Sequence, residues 1–402
     1  MATDDDDNPG PAGVMTGNLR TSRDGLMLNL DFTDEQDMLR EMVRGLCEHH
    51  ASSEAIREIE DDERGFPLEL WSQLGELGLI GLMLPEAYRG AGSSMLDGVV
   101  LFEELGRALA PTPLLESAVM SAGAILRAGS DSQRSELLPA IASGETIVAP
   151  AWLEPDNSYG PRGVQMRAEA DGDGFVLSGT KVLVRFAAAA DRLLVLARTG
   201  DGDGDVDLFL VDRDAPRVSV EQRFSVSSDA QFRVGFDGVR VAAADRVGAP
   251  QSGWATWSAT MVDAMTLAAA YASGGAQYAL GITVQYSKDR EQFDKPLGAF
   301  QALAHDMANA RTATDGAKLI TYEAAWAIDN ERDDAEKLAA MAKLFVCNTF
   351  RDSTAMAQQI FGGVGFTLEY DIQLYFRRAK ALQLSYNDTR RCEEIIAAAV
   401  LD

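Results

Sequence analysis

The chain has 402 residues, 46% hydrophobic and 24% charged, enough for two or three packed layers and unlike a disordered chain. With 62 acidic residues against 36 basic ones the formal charge is -26, so phosphate backbones and anionic membrane surfaces would repel it. Three dispersed cysteines (Cys47, Cys347, Cys392) and three histidines (His49, His50, His305) suggest neither a disulfide framework nor a metal site. No apolar run is long enough to span a membrane. Asp4 to Asp7 stand where a signal peptide would be basic, so no membrane span and a cytoplasmic location are expected.

Residues 1–30 mix Asp, Gly, Pro, Ser and Thr and read as a disordered acidic tail. Residues 31–147 read as an N-terminal helical domain. Thr33-Asp34-Glu35-Gln36 fits a capping box, and Met38, Leu39, Met42, Val43 and Leu46 follow at helical spacing. Breaks are expected at Gly65-Phe66-Pro67, Leu84-Pro85-Glu86 and Gly90-Ala91-Gly92. Asp61-Asp62-Glu63 and Glu103-Glu104 read as solvated helix faces rather than catalytic pairs.

Residues 148–248 read as a central antiparallel β domain. Short apolar runs at Val148–Leu153, Phe175–Leu177, Leu193–Leu196, Leu208–Val211 and Phe232–Phe236 are separated by Gly/Asp clusters. Asp201, Asp203, Asp205 and Asp207 alternate as in a calcium loop. Val206 stands where the sixth position needs glycine, so a hairpin turn is expected. Residues 249–402 read as a C-terminal four-helix bundle, with Ala-rich patterns over 254–289, 297–329, 335–360 and 369–399. The order helical, β, helical gives an α+β class and disfavours a doubly wound parallel sheet. No G-x-S-x-G elbow or Walker loop is present.

Two helix junctions carry the chemistry. One runs from Ser287 to Gln301 and includes Arg290, Gln292, Phe293 and Phe300. The other is Gln359-Ile360-Phe361-Gly362-Gly363-Val364-Gly365. A guanidinium suits phosphate oxygens, and glycines allow a ligand close to the backbone, so a diphosphate site is one reading and a plain turn the other.

Both segments resemble signatures of the acyl-CoA dehydrogenase family of flavoproteins, R-x-x-F-G-x-x-L/I-x-x-F-Q (with Asp294 in place of Gly) and Q-x-x-G-G-x-G. Gly78–Gly81, Leu84–Glu86, Gly90–Gly92, Phe102–Leu105 and Glu154-Pro155 extend the resemblance collinearly over residues 31–402. Gly365–Tyr370 and Leu374–Ala379 resemble actinobacterial-type members, including sterol side-chain-degrading ones. The resemblance implies an acyl-CoA dehydrogenase-like fold with FAD at a subunit interface. It implies α,β-dehydrogenation of an acyl-CoA thioester to the trans-2-enoyl product, and electrons leaving through an electron-transferring flavoprotein. A homotetramer or an α2β2 heterotetramer with a related subunit is implied. By position, Arg290, Gln292, Phe293, Phe300, Gln301, Gln359, Gly362 and Gly363 match contacts made to the neighbouring subunit's FAD. Leu153, Leu183 and Arg185 match the cradle of the flavin ring.

The sequence departs from the family at the chemistry. Counting on from Gln359 by the family spacing to its catalytic Glu reaches Tyr386, then Asn387 and Asp388. The alternative family position, on the helix before Arg290, falls at Ala264 beside Asp263. Tyr386 and Asn387 would then meet substrate, with the Tyr386 backbone N–H facing the thioester oxygen. Four readings stay open: a dehydrogenase with Asp388 as base, a non-catalytic subunit lending its FAD half-site to a partner, a nitroalkane-oxidase-like flavoenzyme with an Asp base, and a purely structural or binding module, against which the intact diphosphate signatures count.

Overall fold

The computed structural model describes residues 32–155 and 159–401; the expected acidic tail lies outside them. Helix α1 (Asp34–His50) starts at the anticipated capping box. The Thr33 hydroxyl accepts the Gln36 N–H, and the Gln36 side chain accepts the Thr33 N–H. Helices α2 (Ser53–Glu58), α3 (Leu68–Glu76) and α4 (Met95–Arg107) follow. A π-helical segment, Leu114–Ser121, then leads into α5 (Ala122–Ala128) and α6 (Asp131–Ala142).

Glu103 and Glu104 on α4 are not a solvated face: each is 5% exposed. Glu104 takes two bonds from Arg44, at 2.9 and 2.7 Å, and Glu103 accepts from the Tyr322 hydroxyl at 3.0 Å. Helix α4 is packed on both sides, so its charged pair meets partners from other helices rather than water. Gly106 and Gly274 allow this closeness. A Cβ on either would lie within 2 Å of a carbonyl oxygen, that of Tyr271 or of Glu103.

The β domain is one sheet of β1 (Val148–Ala151), β2 (Arg167–Asp171), β3 (Gly174–Arg185), β4 (Arg192–Arg198), β5 (Val206–Asp212), β6 (Val218–Arg223), β7 (Gln231–Ala242) and β8 (Arg246–Val247). The order is β6-β7-β3-β2-β4-β5-β8, antiparallel except where β1 and the end of β2 run parallel to β4. The Asp/Gly cluster after residue 199 joins β4 to β5 as a hairpin connection. Buried apolar residues of β4 and β5 alternate into both faces, which are covered.

The C-terminal part comprises α7 (Gly253–Asp289), α8 (Gln301–Asp329), α9 (Ala335–Phe361), α10 (Ile372–Leu384) and α11 (Thr389–Leu401). The continuous helical pattern expected over 369–399 is broken at 385–388. Tyr386 and Asn387 both take positive φ, 51° and 68°, which a helix cannot contain. Asp388 then accepts the Arg391 N–H at 2.9 Å and starts α11. The described residues from Thr33 onward form one compact unit.

Candidate functional site

The two signature junctions meet at one end of the C-terminal helices. Arg290 caps α7, and a short two-stranded hairpin over Glu291–Gln292 and Lys295–Pro296 leads to α8. Tyr286, one turn before Arg290, stacks on Phe361 with ring centroids 4.1 Å apart, and Phe361 precedes Gly362. That stacking fixes Arg290 and the glycine turn on the same end. Arg290, Gln292, Phe293, Gln301, Gln359, Gly362 and Gly363 are exposed, and Phe300 is half-buried under Lys295, whose Nζ lies 4.2 Å from the ring. Phe293 is 87% exposed, unusual for a large apolar side chain. Among the described residues Arg290 has no ion-pair partner. A Cβ built on Gly362 or Gly363 meets nothing within 4 Å, so the backbone there is open to a ligand.

The flavin-cradle residues assemble elsewhere. Val182 N–H donates to Leu153 C=O at 2.8 Å, so residues far apart in sequence become neighbours. A bulge between Lys181 and Val184 puts Leu183 at φ 54° and turns it outward. Beneath it, fully buried Lys181 donates to Glu154 at 2.7 Å, and Glu154 also accepts the Gln165 and Met166 N–H groups. Burial lowers the Lys181 ammonium to about 8, against the opposing pull of Glu154. Leu153, Leu183 and Arg185 line a cleft with Trp152, Tyr159 and Tyr386. Next to it lies a second, mostly apolar cleft walled by Phe102, Leu105, Leu115, Phe186, Ala268 and Leu382.

Glu116, Arg185 and Tyr386 line both clefts and form the wall between them. Tyr386 donates a short hydrogen bond to Glu116. The Arg185 guanidinium sits 5.7 Å from the Tyr386 ring centre, 3.9 Å from Glu116 and 3.2 Å from Asp229. Arg378 approaches the same aspartate at 3.5 Å. Burial pushes the Glu116 carboxyl above its ordinary range, with Arg185 and Tyr386 opposing. Burial would raise Asp229 as well, but Arg185, Arg378 and Ser227 bring it below the usual range. Sequence reasoning missed Glu116, Asp229 and Arg378. The signal was a Glu in an otherwise apolar run, Leu114-Leu115-Glu116, too common a pattern to single out.

The loop that holds the family's base position keeps a demanding backbone. Consecutive non-glycine residues at positive φ are costly and persist where surroundings impose them. Lys343, 1% exposed, imposes it from α9: its ammonium donates to Leu382 C=O at 3.1 Å and Asn387 C=O at 3.2 Å. Asn387 tolerates the left-handed region better than most residues; its amide contacts Met265 Sδ at 3.4 Å and lines neither cleft. Asp388 lines neither cleft and spends a carboxylate oxygen on the start of α11. Asp263 is paired with Arg127 at 2.6 Å and lines neither cleft. The carboxylate nearest Tyr386 is therefore Glu116, which comes from the N-terminal part of the chain.

Comparison with known proteins matches the described elements in three stretches. Residues 33–145 match the acyl-CoA dehydrogenase N-terminal domain, 149–239 the middle domain and 251–400 the C-terminal domain. The chain is 31% identical over 382 residues to the probable acyl-CoA dehydrogenase YngJ of Bacillus subtilis, covering 93% of this chain and all of that one. Among solved structures it is similar to the Tcur3481-Tcur3483 steroid ACAD (33% identity, TM-score 0.82, 92% of this chain and 99% of that chain). It is also similar to the ChsE4-ChsE5 complex from Mycobacterium tuberculosis (27% identity, TM-score 0.85, 93% and 99%). Helical, β-sheet and helical parts in this order, with the two junction signatures and full-length matches, place the chain in the acyl-CoA dehydrogenase family of FAD-dependent oxidoreductases.

Proposed function

We propose that this chain serves the α,β-dehydrogenation of an acyl-CoA thioester as the non-dehydrogenating subunit of a two-chain assembly. The observation that carries the reading is the wall between the clefts. In a dehydrogenating site a carboxylate must face the substrate α-proton while the β-carbon faces the flavin. Here a tyrosine stands at the base position and is hydrogen-bonded to Glu116, and Arg185 fills the space beside it.

The fit to FAD divides along the same line. At the junction end, open glycines and the exposed Arg290 guanidinium suit a diphosphate, so Arg290, Gln359, Gly362 and Gly363 would hold part of an FAD seated mainly in the partner. At the ring-side cleft, Arg185 is tied to Asp229, Glu116 and Tyr386, which does not suit a flavin ring stacked against substrate. FAD, when bound, would supply the acceptor for the substrate hydride; this chain's residues would orient its diphosphate end and contribute no proton acceptor. Electrons would leave the assembly through an electron-transferring flavoprotein. The two solved relatives are a complex and a steroid enzyme named for two chains, which supports an unlike partner and a bulky, sterol-derived acyl group. The readings that need an Asp base, as a self-sufficient dehydrogenase or a nitroalkane-oxidase-like enzyme, gain nothing from Asp388, whose carboxylate is engaged at α11.

The test is flavin absorbance per chain, with turnover, for the protein purified alone and co-purified with a related subunit that carries the family Glu. The expected result is a chain that is nearly colourless alone and FAD-bound and active when paired. One FAD per chain together with acyl-CoA turnover in the isolated protein would overturn the proposal.

A further inference from the structure

Beneath the glycine turn, in the last turn of α9, lies a side chain that neither the signature match nor the site description accounts for. Gln358 is 4% exposed, and among the described residues neither its Oε1 nor its Nε2 has a hydrogen-bond partner. A carboxamide offers two donors and an acceptor, and leaving all of them buried and unmet is costly. An apolar side chain would fill the same space without that penalty, so the amide calls for a partner absent from the isolated chain.

Its position says where that partner comes from. The Gly362 N–H bonds the Gln358 main-chain carbonyl, and Gly362 takes φ +65°. A Cβ on Gly365 would stand 2.6 Å from Gln358 Oε1, so the turn presses on the amide at Gly365 while Gly362 and Gly363 are open above it. The covering layer over the amide is thus a short turn with three glycines, exposed at Gly362 and Gly363 and buried only at Gly365, which lacks side chains to hold it in place at those positions.

We propose that Gln358 is a further residue of the FAD half-site: when FAD held by the neighbouring chain docks on the glycine turn, the turn lifts at Gly365 and the Gln358 amide, whose Oε1 faces the turn in the isolated chain, rotates so that its Nε2 donates to the diphosphate. The inference rests on the lending role proposed above, and it adds a contact from beneath the turn to those of Arg290 and Gln359. The neighbouring Gln359 side chain, already exposed, needs no such rearrangement.

The experiment uses the co-purified assembly and titrates FAD into the FAD-stripped protein for wild type, Gln358→Leu, Gln358→Met and Arg290→Ala. Gln358→Leu and Gln358→Met should weaken FAD binding about tenfold, the worth of one lost hydrogen bond in a buried setting. The unfolding midpoint of the FAD-free chain should stay level or rise in the same variants, because a buried unpaired amide has been removed. A purely structural glutamine would instead lower the FAD-free midpoint. FAD affinity within about twofold of wild type in both variants, or a fall in stability that tracks the fall in affinity, overturns the inference. Silent Gln358 variants beside a weakened Arg290→Ala would sink this inference alone; a silent Arg290→Ala would sink the lending role itself.

Discussion

At the wall between the two clefts, Glu116, Arg185, Asp229, Arg378 and Tyr386 pair with one another by charge or hydrogen bond within a single chain. At the helix junctions Arg290, Gln359, Gly362 and Gly363 face outward, and Gln358 waits below them without partners. The contrast fits the lending role proposed above, in which one half of a composite site meets a ligand and the other does not. Groups that neutralise each other internally contribute to stability and are lost to ligand chemistry. Groups left unpaired contribute little to the isolated chain and are free to meet a ligand.

The most disruptive way to probe the contrast is Asp229→Asn. It strips the shared anion from two buried guanidinium groups and should cost about 3–5 kcal/mol in urea unfolding. Arg290→Ala should act the other way round. Unfolding of the isolated chain should be unchanged, while FAD retention by the assembly drops by about 1.5–3 kcal/mol per lost charge-assisted bond. Tyr386→Phe leaves Glu116 without its donor and should destabilise by about 1–3 kcal/mol, with turnover of the paired enzyme intact.

Glu116 also gives a pH signature. Its folded-state value lies above the ordinary 4.5, so between the two the native chain holds a proton that the unfolded chain has released. Stability should therefore fall as pH rises through that window and level off above it. Glu116→Gln should flatten that slope in a pH series of denaturation curves. The smallest expected effect is that of Asp388→Asn. Asparagine caps a helix as well as aspartate, so stability should move by only a few tenths of a kcal/mol, and assembly turnover should hold. A loss of about a hundredfold or more in turnover would make Asp388 the base and end the contrast.

The helical, β, helical order was legible because periodicity and turn clusters report local backbone preference. The capping box at Thr33 was legible for the same reason. What escaped was set by partners remote in sequence. Glu103 and Glu104 looked solvated because nothing local reveals that Arg44, Ser273 and Tyr322 close over them. The break at 385–388 hid inside a helical pattern because it depends on Lys343, forty residues away in chain order, holding two carbonyls. At the site, Arg290 and the glycine turn were readable as a motif. The wall was readable only in part: Arg185 and Tyr386 stood out as departures from the family pattern, but Glu116 and Asp229 come from other stretches and carry no mark of their own.

Helix α9 connects both half-sites: Lys343 fixes the loop of Tyr386 near one end, and the glycine turn begins where the helix stops. At about 1.5 Å per residue it sets roughly 28 Å between them. A rigid rod of that length assigns its two ends to different neighbours. On the lending role proposed above, injury to one end is felt in this chain's own folding, and injury to the other in the colour and turnover of the assembly. Mixing two damaged chains, one broken at each end, should consequently restore nothing at the cleft wall, yet an undamaged junction supplied by a second copy should rescue the partner's FAD.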